Sequence, residues 1–498
     1  MSSRRVLREA RTIDPASITE QYLDRVLALP GGVGTLRVEL DFEKVTDCFQ
    51  LYAAALDPAG FLRGHVQCPG DPGPRRLSFE VGEGHADLGC HAGPLPAGEW
   101  TVRIDLDRFT QGGSYELRVY VGDAEADAVA VAPVVRAREE GAAPAPRSWL
   151  RGELHSHSLH SDGSAGLPAL LDAARAAGLD FLAVSDHFTS SHWAELASLE
   201  EQGAADGLVL LRSIELTSHF GHANLHGLSR WPGTYVDADG WDFADAAREV
   251  HAQDGLVGVN HPFSGRQAWR RDDHTWDDVD LLEIDNFGQG ANNDAAVGLW
   301  DRLLGAGHRI TAVAGTDCHH PQKPEHRLGQ VTTVVRAERS REGILGALRT
   351  GEAYVSRGAG LRLSARTDDG ECGMGGTVPV PPGGPLHLDV EIDTPRPAVL
   401  FVLRGGLLWH MEPVPAEGPA HLRVSDPRPL PGPYRAELHA ASDDPYFWAS
   451  CNRSHASSLA VSNPVWVTAT TAASPRFRRR TQLPQPPLRP GEVRARRR

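Results

Sequence analysis

The stretch Arg151 to Ser164, RGELHSHSLHSDGS, carries three side chains that readily bind metal ions: His155, His157 and Asp162. The histidines stand two apart, so on an extended backbone both imidazoles point to one face, as two ligands of one cation require. Asp162 follows in a Ser-Asp-Gly turn that could swing its carboxylate back toward them. An isolated HxH also occurs on ordinary surface strands, so the pair acquires meaning only from the rest of the chain. Asp186 with His187, Glu215, His219, His222, His226, His261, Glu283, and Asp317 with His319 and His320 stand within or just after later apolar runs. Imidazoles and carboxylates converging on one rim are electrostatically awkward without cations, and together they are the ligand set of Zn²⁺, Mn²⁺ and Fe²⁺. The pattern points to a polynuclear metal site.

From Ser148 the text alternates strand, loop and helix. LPALLDAARAAG sets Leu167, Leu170, Leu171 and Ala174 on one helical stripe with Gly178 as its C-cap, and the apolar DFLAVSDH follows at once. LVLLRSIEL, HANLHGL, GLVGVNHPF, LLEIDNF and RITAVAGTDCHH repeat the unit, several preceded by helical text such as FADAAREVHAQDG. This alternation predicts parallel strands wrapped by helices over 148–357, with chemistry at the carboxyl ends of the strands. Residues 34–135 alternate apolar and polar in short stretches such as TLRVELDF and EWTVRIDLD, and predict an N-terminal β-sandwich after an extension at 1–33. Nothing in that sandwich looks catalytic; its His65, His85 and His91 lack ligand spacing and are expected in surface or turn roles. Residues 136–147 read as a linker, 358–470 as a C-terminal β-sandwich, and 471–498 as a disordered Pro/Arg-rich tail.

A chain of 498 residues predicts two to four domains. Its formal net charge of -15 argues against a whole-protein nucleic-acid binder, leaving nucleic acid only as a substrate. The first residues lack the apolar stretch of a secretory signal and no later run is long enough to cross a bilayer, which predicts a cytoplasmic protein without membrane contact. Six cysteines without a CxxC or a regular framework suit reduced thiols, with a disulfide in the N-terminal region left open. The oligomeric state is not legible.

Taken in order, HSHSLHSDG, AVSDH, IEL, GHAN, VNHP, EIDN and AGTDCH resemble the motif series of the PHP (polymerase and histidinol phosphatase) superfamily. GHAN after the Glu strand, GEAYVSRG after the barrel and SNPVWV near the end are similar to its carbaryl-hydrolase-like (CehA/McbA) branch. The resemblance covers Ser148 to about Arg357 firmly and the final sandwich loosely. It implies a distorted (β/α)7 barrel holding two or three divalent cations (Zn, Mn or Fe). By motif, His155, His157, Glu215 and Asp317 would hold one ion, and Glu215 would bridge to a second held by His222 and His261. Asp162, His187 and His319 would form a third position or complete the second. Members with a full trinuclear centre tend to carry His where Asp162 stands, which puts the third ion in doubt. His222 and His226 alternate onto the same face of an extended segment, and the GHxN position favours His222.

The resemblance implies a metal-dependent hydrolase in which metal-bound hydroxide attacks a phosphoester. Asp317 could accept the proton of the attacking water, and His187 or His261 could protonate the leaving group. Glu283 and Asn286 fall where hydrogen bonds to the ligands are expected. Arg266, Arg270 and Arg271 could supply a guanidinium fork for phosphate, or belong to a solvated loop. Trp269, Trp276, Phe188 and Trp193 could line an apolar pocket suited to an aryl carbamate, or pack helices. Carbamate or amide hydrolysis, nuclease or nucleotide phosphatase activity, and a non-catalytic metal-binding scaffold are the alternatives. His160, His320 and His326 are expected to support the site or lie on the surface, and Cys318 to be a packing thiol turned away from the ligands beside it.

Overall fold

The computed structural model describes residues 3–17, 21–45, 48–68, 71–123, 146–231, 242–287, 289–324, 327–414, 418–441 and 454–469. Most of the expected linker, the whole expected tail, His326 and Cys451 lie outside these residues. The chain opens with β1 (Arg4–Ile13), β2 (Tyr22–Leu29), β3 (Val33–Lys44), β4 (Phe49–Leu56), β5 (Leu62–Val66), β6 (Gly73–Gly82), β7 (Gly98–Phe109) and β8 (Gly113–Asp123). They pair antiparallel into two four-stranded sheets, ordered β1-β8-β3-β6 and β2-β7-β4-β5. Alternation explains the packing: Leu36, Val38, Leu40 and Phe42 of β3 and Trp100, Val102, Ile104 and Leu106 of β7 share one core. Residues 1–33, expected as an extension, instead supply an edge strand to each sheet, because VLREARTI and YLDRVLAL both alternate well enough to pair.

The second region begins with β9 (Ser148–Glu153), α1 (Leu167–Ala176), β10 (Phe181–Val184), α2 (His192–Glu201), β11 (Val209–Ser218) and β12 (Gly221–His226). It continues through α3 (Phe243–His251), β13 (Leu256–Val259), β14 (Leu281–Asn286), α4 (Ala291–Ala306), β15 (Thr311–Gly315), β16 (Thr332–Ala337), α5 (Arg341–Thr350) and β17 (Ala353–Ser356). α1 buries Leu167, Leu170, Leu171 and Ala174, and Gly178 follows at φ 67. α3 starts on a capping box between Asp242 and Asp245, and α5 on the Ser340 hydroxyl.

The strands do not close into the distorted (β/α)7 barrel that the resemblance implies. β12 runs antiparallel to both β11 and β13, so the parallel order is interrupted. The sheet is open between β15 and β16, where no backbone ladder forms. Side chains bridge the seam instead. The Thr333 hydroxyl donates to Ala314 O at 3.0 Å and accepts from Ala314 N at 2.9 Å. The Asn463 amide meets Ala312 N at 2.8 Å and Ala312 O at 3.0 Å, copying a strand's own bonding pattern.

The last strands are β18 (Gly360–Thr367), β19 (Gly370–Gly373), β20 (Thr377–Val380), β21 (Leu386–Thr394), β22 (Ala398–Arg404), β23 (Leu407–Val414), β24 (Gly418–Asp426), β25 (Gly432–Ala440), β26 (Ser458–Ser462) and β27 (Val465–Ala469). β19-β18-β21-β24 form their own sheet. β17 pairs with β26, so the central sheet runs on without a break into β25, β22 and β23, fifteen strands in all. The boundary expected near 357 therefore falls inside a continuous sheet.

Candidate metal centre

The strand ends bring the histidines and acids to one rim. β9 leads into His155 and His157, β10 into Asp186 and His187, β13 into His261, and β15 into Asp317 and His319. Glu215 lies within β11. His222 opens β12 rather than closing it, because the antiparallel hairpin Ser218 to Gly221 returns the chain at the same rim, opposite Thr217. Two of these residues sit in strained backbone, His261 at φ 23 and Asp317 at φ 51, a conformation that non-glycine residues hold only where surroundings impose it. Gly315 has no room for a side chain: a Cβ there would stand 2.4 Å from that of His155.

The nine side chains proposed as ligands fall into four overlapping groups, each with ligand atoms within 4.8 Å of one another. They are His155, His157 and Glu215; His155, His261 and Asp317; Glu215, His222 and His261; and His157, Asp162, His187 and His319. His155 Nε2 lies 3.3 Å from both Glu215 Oε2 and Asp317 Oδ1, and His157 Nε2 lies 3.4 and 3.1 Å from the same oxygens. Glu215 Oε1 is 3.1 Å from His222 Nδ1 and 3.6 Å from His261 Nε2. Asp162 Oδ1 is 3.4 Å from His187 Nε2 and 3.2 Å from His319 Nε2. Separations of this size are those left when two ligands share an ion at about 2.0–2.2 Å.

The donor set fits cations. His155 presents Nδ1 to Glu283 Oε1 at 3.1 Å, which fixes the ring and aims Nε2 at two carboxylate oxygens. His155 Nε2 and Glu215 Oε2 are both buried without a hydrogen-bond partner, a costly arrangement unless a cation lies between them. Burial alone would raise the Glu215 and Asp317 carboxyls, yet neighbouring imidazoles, His155 foremost, hold both well below the usual range. Burial opposes charge on His319 too, but Asp162 and Asp317 pull it up to about 10. The cluster demands positive charge at its centre.

Comparison with known proteins adds little to this geometry. No protein-family model matches the chain, and no curated protein matches it. Among solved structures, a two-domain protein of Bacteroides vulgatus containing a predicted PHP-like metal-dependent phosphoesterase is 17% identical, covering 66% of this chain and 100% of that one at a TM-score of 0.38. An amidohydrolase of Chromobacterium violaceum, with bound sulfate and no metal, is also 17% identical, covering 35% and 93% at a TM-score of 0.26. At these TM-scores the likeness carries no argument, and the chemistry has to be read from the side chains.

Around the nine lie the residues that hold them. Glu283 Oε2 accepts from His261 N at 2.7 Å and from the Asn286 amide at 3.1 Å, so one carboxylate fixes both His155 and His261. Asp186 turns away from the cluster and accepts from Ser158 N, Ser158 Oγ and Ser161 Oγ, pinning the HSHS loop. His226 donates to or accepts from Ser213 Oγ at 2.7 Å and joins none of the four groups. His160 meets Ser191 and Glu195, and His219 lies 2.7 Å from Asp105 Oδ1. Cys318 is fully buried among apolar residues, and burial pushes its thiol up to about 12. The five described cysteines are all free thiols.

Two supporting residues escaped the sequence reading. Glu153 is fully buried, accepts from His155 N, Thr316 N and Thr316 Oγ1, and is pushed by burial up to about 7. An acid alternating with His155 and His157 inside an apolar strand was its signal. Asn260 donates to Glu215 Oε1 at 2.8 Å, and sits directly before His261 in VNHP.

Of the aromatic residues, Trp193 belongs to the main core and Trp269 and Trp276 pack against it, whereas Phe188, part of that core, also lines a cavity that touches His222. Arg271 is held by Asp273 and Ser218, whereas Arg266 and Arg270 are exposed at this cavity of about 280 Å³, which also touches Thr217.

Proposed function

We propose that the protein is a PHP-type metal-dependent hydrolase of small phosphoesters, holding two or three divalent cations on the nine rim ligands. The observation that carries this reading is the buried trio of His155 Nε2, Glu215 Oε2 and Asp317 Oδ1, which converge within 3.3 Å while the first two lack a hydrogen-bond partner. Bound there, divalent cations supply Lewis acidity and make water a nucleophile at neutral pH. Asp317, kept ionised by the imidazoles around it, would orient that water. Burial lowers His187 to about 3 and leaves it neutral, which suits a ligand better than an acid. His261 stands in two of the ligand groups with its Nε2 turned to Glu215, so it too suits a ligand better than an acid.

Arg266 and Arg270 at the cavity support phosphate over an uncharged ester. GHAN, GEAYVSRG and SNPVWV support membership of the carbaryl-hydrolase-like branch, and five free thiols suit a reducing compartment such as the cytoplasm. Metal-loaded protein assayed on nitrophenyl phosphate, bis(nitrophenyl) phosphate and naphthyl methylcarbamate is expected to turn over a phosphate and not the carbamate. Turnover of the carbamate alone would replace the substrate class; turnover of none, with metal bound, would end the hydrolase reading.

A further inference from the structure

The face of the N-terminal sandwich that looks away from its own core is covered by the metal-bearing region. In β4 both faces are buried: Leu51, Ala53 and Ala55 enter the sandwich core, while Ala54 and Leu56 join the core that holds Phe188 and Ile214. On β7 the same alternation sends Asp105 and Asp107 outward, opposite the core residues Ile104 and Leu106. His219, in the hairpin before His222, lies 2.7 Å from Asp105, and Arg266 donates to Asp107 O at 2.6 Å. The sandwich is thereby fastened over the rim, and the cavity of about 280 Å³ lies between the two.

We propose that this cavity is a subsite for a small hydroxylated group of the substrate, of sugar or polyol kind, and that the N-terminal sandwich reads it through Gln67, Asp105 and Asp107. The proposal rests on the phosphoester reading for the position of the reacting group, because the cavity reaches His222 and the Thr217 that contacts His187. Gln67 is 5% exposed and its side-chain oxygen is buried without a hydrogen-bond partner, a vacancy for a donor. Asp105 and Asp107 add further acceptors, and a hydroxyl both donates and accepts. An ammonium group is less suited: Asp105 already pairs with His219, and Arg108 stands 3.4 Å from Asp107. Burial and Asp105 push Asp107 up to about 6, so it too favours hydrogen bonding over full charge pairing. The volume lies below the ~300–1,000 Å³ of drug-sized ligand pockets, too small for a polynucleotide strand.

The test uses phosphonates, which cannot be hydrolysed. A hexose phosphonate, methylphosphonate and a methyl hexoside are titrated calorimetrically into the metal-loaded full chain and its Gln67→Met and Asp107→Asn variants. The hexose phosphonate is expected to bind at least about tenfold tighter than methylphosphonate, and each variant to cut that preference to about threefold or less, since one lost buried hydrogen bond is worth about a factor of ten. Equal binding of both phosphonates by the unaltered protein, or variants that keep the preference, overturns the subsite while leaving the phosphoester reading intact. Binding of the hexoside with no gain from the phosphonate keeps the subsite and overturns the phosphoester reading. Binding of neither phosphonate nor hexoside overturns both.

Discussion

Glu283 Oε1 lies 3.1 Å from Nδ1 of His155, and both side chains are buried. This pair fixes the ring of His155 and aims its other nitrogen at Glu215 and Asp317. A carboxylate in that position also raises the basicity of the ring as a ligand. Glu283→Gln is therefore expected to keep the fold and to weaken metal binding by about 10–100-fold. Chelator competition on the purified variant checks it; metal retention equal to that of the unaltered protein would remove Glu283 from the site.

The four ligand groups predict unequal losses. His155 and Glu215 each belong to two groups, and Asp162 and His187 to one. His155→Ala and Glu215→Ala should abolish activity and most bound metal, whereas Asp162→Ala should cost at most one ion per chain. Elemental analysis beside activity separates the cases. If Asp162→Ala leaves metal content unchanged, the centre has two ions and Asp162 serves only His187 and His319.

How much of this was legible follows from where the information lies. The nine candidate ligands stand out in the sequence because an apolar run stops and a polar residue begins at each, and the fold brings all nine together. β12 was misread because HANLHGL looks the same in either direction; only the two-residue hairpin at His219 and Phe220 sets it antiparallel. Asn463 lies far along the chain from its partners on β15, so no local pattern could reveal the seam. That β4 is covered on both sides was legible in FQLYAAAL, which is apolar on both faces.

Acid sensitivity should follow from His226. Burial lowers it from 6.5 to about 3, so between those values the unfolded chain binds a proton that the folded chain does not. Its contribution is full above about pH 6.5 and is lost as pH falls, amounting to about 2 kcal/mol at about pH 5. His226→Asn, which can keep the bond to Ser213, is expected to show a smaller loss of Tm between about pH 7.5 and pH 5 than the unaltered protein in metal-free buffer. An identical pH dependence of the two melts would mean that another group governs the acid limb.

The seam gives the sharpest stability prediction. Asn463 spends its amide on Ala312 N, Ala312 O and Ala353 O, all buried, and so stands in for the strand that a closed barrel would place there. Asn463→Ala leaves Ala312 N and Ala312 O facing a gap that no backbone can fill, while Ala353 O keeps its bond from Asn463 N at 3.2 Å. Each buried group left unpaired costs about 1–3 kcal/mol, so a loss on the order of 3 kcal/mol is expected once partial hydration is allowed. Asn463→Asp should fail as well, because a carboxylate cannot donate to the two carbonyls. Denaturant unfolding of both variants measures the loss. Because β15 ends at Gly315, with Asp317 beyond it, loosening the seam should also weaken metal binding, and a destabilised variant with unaltered metal affinity would show that the rim is held independently of the seam.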